Sequence, residues 1–185
     1  HPGSWNWDES FHQVVTRHSH DTPWHPMLVD DPVHPLTDYK LWWGFNTWLH
    51  KPPGPFWLGA FFMTFTGVTP LALRLGSLFG ELVMALSVYW FVRSLIAPPL
   101  AFVASLAFLS IPFGWEMTQG RFVGDVTDIT LSACLCFAML ALVKACETQR
   151  WPWALAAGAA TGAGYLCKTL LSLTPLGVAL VLVVL

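Results

Sequence analysis

Charge is what this sequence has least of. Of its 185 residues only 11% are Asp, Glu, Lys or Arg, where a soluble domain carries about 25%. Hydrophobic residues make up 55%, which excludes an ordinary water-soluble globule. An excess of one sign is missing too: nine basic against eleven acidic side chains leave a net charge of −2, so there is no basic footprint for nucleic acid. Cysteine is sparse and unpatterned. Cys134, Cys136, Cys146 and Cys167 lie in or beside apolar runs, with no CxxC pair; they read as small buried residues rather than zinc ligands. The chain starts at His1 without a methionine or signal-type segment and stops inside the apolar run 178–185, and the expectation is a fragment, the front part of a larger protein.

What is present is unevenly spread. Residues 1–54 hold all seven histidines, six of the eleven acids and six of the eleven tryptophans, and form a polar, aromatic, proline-rich head. Residues 55–185 hold six basic and five acidic side chains strung between long apolar runs. Crossing a hydrocarbon core of about 30 Å takes roughly 20 apolar residues as helix. On that template residues 71–96 form a first span, 100–115 a shorter second, 129–146 a third, 153–167 a fourth rich in small residues, and 170–185 the start of a fifth. The fold class expected is all-α: a multi-spanning membrane protein whose external loop carries juxtamembrane helices, with about four complete spans and one truncated. Residues 55–67 are too few to cross and very aromatic, as in an interfacial or re-entrant helix.

Alternation puts the head, the loop 116–128 and the turn at Lys168 on one side of the membrane. The turn 97–99 and the loop 147–152 fall opposite, flanked by Arg93, Lys144 and Arg150, as short cytoplasmic loops are. The expectation is a multi-pass protein of the plasma (inner) membrane with its chemistry on the external face.

Four groups on that external side carry candidate chemistry, because ionisable residues near a bilayer are costly. Asp8 and Glu9 form an acidic pair in Trp7-Asp8-Glu9-Ser10, equally compatible with an ordinary helix N-terminus. Lys51 follows His50 and precedes Pro52-Pro53, which hold its backbone at the head of the aromatic run; an ammonium there suits a lipid-linked phosphate or simply marks the interface. In residues 119–128, Arg121, Asp125 and Asp128 share one face if helical, with a salt bridge as the alternative. The acids can hold a divalent metal with water or orient a reactive group, and His50 is a further candidate metal ligand beside Asp128. Lys168, between two apolar runs, is expected to face external water or an anion. His18 and His20 read as surface loop residues, and Glu81 in mid-span has no evident partner beyond Arg74, two turns away.

In this order and with these spans between them, the groups resemble the multi-spanning glycosyltransferases of the GT-C fold, in the branch of the lipid A aminoarabinose transferases and the protein O-mannosyltransferases. The phrases that carry the resemblance are Asp8-Glu9, Lys51-Pro52-Pro53 with Phe56-Trp57-Leu58, Thr127-Asp128-Ile129, and Lys168. It implies inverting transfer of a sugar from a polyprenyl-phosphate donor to a lipid or protein acceptor, without nucleic acid. Asp8, Glu9, Lys51 and Asp128 would be catalytic; Arg121, Asp125, Lys168 and His50 would bind substrate; a divalent ion at His50 and Asp128 is the one cofactor considered. Two other classes compete. A transporter or flippase would line several spans with deep charges, whereas only Glu81 lies deep; a noncatalytic subunit would leave Asp8, Lys51 and Asp128 apart in space.

Overall fold

The computed structural model describes residues 7–28, 47–48, 50–119 and 126–184, and among them it is helical with no strand. The all-α class holds. Helix α1 (Trp7–Asp21) belongs to the polar head. It buries His12, Val15, Thr16 and Ser19, spaced three and four apart so that they share one face. That face lies on α2 (Gly54–Thr66), whose buried residues Phe56, Gly59, Ala60 and Met63 repeat at the same spacing. Val15, Leu28, Trp48 and Phe56 close a small core between them. Thirteen residues at 1.5 Å each give about 20 Å, so α2 is too short to cross, a length common to interfacial and re-entrant helices.

The head is held to α2 by polar ties as well. Trp57 donates its indole N–H to the Pro23 carbonyl at 2.7 Å, and within the head itself Met27 pairs with Thr47 in an isolated antiparallel bridge. His18 and His20 are not loop residues: both lie in the last turn of α1. At about 100° per residue, positions two apart on a helix point nearly opposite ways, so the two rings cannot share a ligand. His18 donates Nδ1–H to the Met27 carbonyl at 2.6 Å, while His20 meets the neighbouring Asp21 at 3.0 Å.

Among the described residues three helical runs are long and apolar enough to cross a membrane: α3 (Pro70–Arg93), α6 (Val126–Thr148), and the run from Trp151 to Val181. The last contains α7 (Trp151–Lys168), a 3-10 turn at Thr169–Leu173 and α8 (Thr174–Val184), so residues 153–167 and 170–185 are joined without a loop. Residues 100–115 do not make one straight span. They divide into α4 (Pro98–Leu109) and α5 (Pro112–Thr118), bent by 55°, because Pro112 forces Ile111 out of the helical region to φ −70°, ψ 118°. Counting the bent pair as one crossing gives four.

Glycines set the closest helix approaches. A Cβ at Gly80 would stand 2.9 Å from Ile129 Cγ2, bringing α3 against α6, and a Cβ at Gly59 would stand 2.8 Å from Thr16 Cγ2 and 3.0 Å from Leu73 Cδ2, with α2 clamped between α1 and α3. Glu81, 4% exposed in mid-α3, has no ion pair recorded among the described residues. Its carboxylate fits over Gly114 of α5, where an added Cβ would come within 2.5 Å of Oε1, and it lines an apolar cavity of about 230 Å³ with Met84, Phe108 and Ile129. Large apolar side chains on the outer faces of these helices, among them Leu86, Trp90, Phe102, Leu155 and Leu180, are exposed, as a bilayer-facing surface requires.

Candidate functional site

The chemistry-bearing side chains gather where three helix ends meet. Lys51 stands three residues before α2, with Pro52 and Pro53 between, and Pro55 follows as the second residue of the helix. Fixed φ values at prolines suit a helix start. Gly54 then presses on α7: a Cβ there would lie 2.7 Å from the Leu166 carbonyl oxygen and 3.2 Å from Leu166 Cβ. Leu166 is two residues before Lys168, the last residue of α7. The Lys-Pro-Pro-Gly turn and the lysine ending α7 are therefore neighbours, a proximity that 117 positions of sequence conceal.

The anion that Lys168 faces is one of the chain's own. Its ammonium pairs with the Asp128 carboxylate, both side chains about one third exposed. The reason is geometric. Helices α6 and α7 are antiparallel neighbours joined by a tight turn, Gln149-Arg150, with Gln149 at φ 52°, so the first turn of α6 meets the last turn of α7. The pairing also accounts for Asp128, which a bridge between Arg121 and Asp125 would have left over.

Asp8 and Glu9 occupy the first turn of α1, where carboxylates sit favourably against the helix dipole; nothing further is described of their side chains. Counting along α1 puts Asp8 one turn before His12, on the same face of the helix. His12 is the neighbour of Lys51 that sequence reasoning passed over. It is 2% exposed, and the Lys51 ammonium donates to its Nε2 at 3.2 Å. The missed signal was the spacing itself: His12 begins the buried stripe at 12, 15, 16 and 19. His50 is exposed, with its ring edge-on to Trp48 at 5.7 Å. Arg121 and Asp125 lie outside the described residues.

Among the described residues no three His, Cys, Asp or Glu side chains converge as a metal set. Asp128 faces a cation in Lys168, and His50 packs on Trp48. The described donors alone therefore make no metal set, and Asp8, Glu9 and Asp125 have side chains outside the described ones.

What the described groups can do follows from their charges. Two ammonium groups and one carboxylate at a single helix-bundle end, beside a short aromatic helix, can hold an anionic group. Among known proteins, no curated sequence and no solved structure matches. A profile of the dolichyl-phosphate-mannose-protein mannosyltransferase family matches residues 50–185, beginning one residue before Lys51 and covering α2 to α8. With that match over most of its length, on an all-α membrane architecture, the chain belongs to the dolichyl-phosphate-mannose-protein mannosyltransferase family and is a membrane glycosyltransferase of the GT-C type.

Proposed function

We propose that the protein transfers a sugar from a polyprenyl-phosphate donor to a lipid or protein acceptor at the external face of the membrane, with inversion at the anomeric carbon. The observation that carries the reading is the convergence of Lys51 with the Asp128–Lys168 pair through the contact of Gly54 and Leu166. In the step proposed, the acceptor hydroxyl oxygen attacks the anomeric carbon, the bond from that carbon to the phosphate oxygen breaks, and the electron pair leaves with the polyprenyl phosphate. The acceptor proton goes to Asp8, which acts as general base.

Charge grows on the phosphate as the bond breaks. Lys51, with Arg121, is positioned by this reading to stabilise it, and an ammonium at the low-dielectric edge of a bilayer acts more strongly than one in water. Lys168, balanced by Asp128, keeps the site from becoming so cationic that product phosphate is retained. Glu9 and Asp125 would orient the acceptor, and His50, exposed at the rim, would contact the donor headgroup. A single displacement, with the acceptor attacking opposite the departing phosphate, gives inversion.

The test uses the whole protein in membranes, supplied with radiolabelled dolichyl-phosphate mannose and with shorter polyprenyl-phosphate sugars. Asp8→Asn, which keeps the size of the side chain and removes the base, should abolish transfer while expression and membrane insertion persist. Unchanged transfer by Asp8→Asn would remove Asp8 as base. Absence of turnover with every polyprenyl-phosphate sugar would remove the donor class.

A further inference from the structure

We propose that His12 is a positioning residue: its neutral imidazole fixes the Lys51 ammonium, and through it the phosphate of the lipid-linked donor. The inference rests on the reading of Lys51 as a phosphate ligand.

The starting point is a histidine where packing alone would choose a hydrocarbon ring. His12 lies in the aromatic core between α1 and α2, with its ring 5.3 Å from Phe56 and 6.2 Å from Trp48, and is 2% exposed. Burying an imidazole among such neighbours costs free energy unless its nitrogens are used. An ammonium can only donate, so the 3.2 Å contact with Lys51 Nζ requires a lone pair on Nε2. The imidazole is then neutral, with its proton on Nδ1.

Neutrality is what suits the role. A carboxylate in the same place would hold the ammonium as firmly but cancel the charge that a phosphate needs. Imidazole directs one of the three N–H groups and adds no negative charge of its own. The holder is itself held: Phe56 and Trp48 confine the ring, and the His12 carbonyl accepts a hydrogen bond from the Thr16 hydroxyl at 2.6 Å. Lysine side chains carry large rotamer entropy. Here the prolines fix the root of the side chain and His12 fixes its tip, so the cost of ordering it is met before the donor arrives. The same imidazole joins two helices of the proposed site, since it lies one turn along α1 from Asp8.

The experiment measures steady-state transfer by the whole protein in membranes with the polyprenyl-phosphate sugar as the varied substrate. His12→Phe keeps an aromatic ring in the core and removes the acceptor; the KM for donor should rise about tenfold, as expected for losing a hydrogen bond to a charged group, with a much smaller change in kcat. His12→Gln, whose amide oxygen stands where Nε2 stood, should restore the KM. His12→Asn, with its acceptor one methylene short, should not. In a Lys51→Met background His12→Phe should add nothing, because the partner is already gone. A wild-type KM for His12→Phe, a Gln variant no better than Asn, or an undiminished His12→Phe effect in the Lys51→Met background would each make His12 a packing residue and overturn the inference. If Lys51→Met itself leaves the donor KM unchanged, the phosphate-ligand reading falls and takes the inference with it. If Lys51→Met raises the KM while His12→Phe does not, only the role of His12 fails.

Discussion

Gly54→Ala is the most direct test of whether the two halves of the site depend on each other. The added methyl carbon would lie 2.7 Å from the Leu166 carbonyl oxygen, 3.1 Å from its carbon and 3.2 Å from Leu166 Cβ. Ordinary contact begins near 3.4 Å, so the start of α2 must retreat from α7 by 3.4 minus 2.7, or about 0.7 Å. Two of the three obstructing atoms are backbone in the last turns of a helix, and a rotamer change cannot clear them. Overpacking of this kind costs about 1–3 kcal/mol. Lys51 is carried on the same turn, and a displacement of that size near a reacting centre lowers turnover by one to two powers of ten, on the order of 10²-fold for about 1 Å. The assay is thermal unfolding of the detergent-purified protein together with the transfer rate in membranes. Gly158→Ala serves as the matched control: it lies in mid-α7 with open space around its Cβ position, and an alanine there should be neutral or stabilise by up to about 1 kcal/mol through helix propensity. If Gly54→Ala behaves like Gly158→Ala in both assays, α2 does not bear on α7, and the convergence of Lys51 with Lys168 is wrong.

Two further outcomes follow from packing and charge. Phe56 is 0% exposed at the centre of the α1–α2 core, so Phe56→Ala should cost about 3–5 kcal/mol and detach α1, read as a lower unfolding midpoint and as new protease cleavage within residues 7–21. Asp128→Asn and Lys168→Met should each weaken the junction of α6 and α7, and the double variant should lose less than the sum, with a coupling of about 0.5–1 kcal/mol for a pair one third exposed; additive losses in a thermal double-mutant cycle would refute the pairing.

The membrane character, a helix at residues 54–66 too short to cross and the start of α6 near Asp128 were legible because each depends on local pattern: apolar run length, proline before a helix, an acid in a first turn. The bend at Ile111 was legible in principle, since Pro112 alone imposes it, yet the apolar run 100–115 reads through it without a change of polarity. His12 was not legible, because a histidine in a polar head looks like its six companions until its position on the buried stripe is known. The partner of Lys168 was equally hidden, since nothing within α7 distinguishes a lysine facing water from one facing a carboxylate 40 residues earlier.

Composition and run length by themselves therefore determined that this chain is an all-α membrane protein with a polar head, since the bilayer excludes every arrangement that leaves its backbone groups unpaired. Which charges meet was decided only by tertiary structure. Glycines at 54, 59 and 80 let helices approach within a Cβ of one another, and that closeness, a property of pairs of helices and of no single segment, brings Lys51 to His12 and the end of α7 to the start of α2.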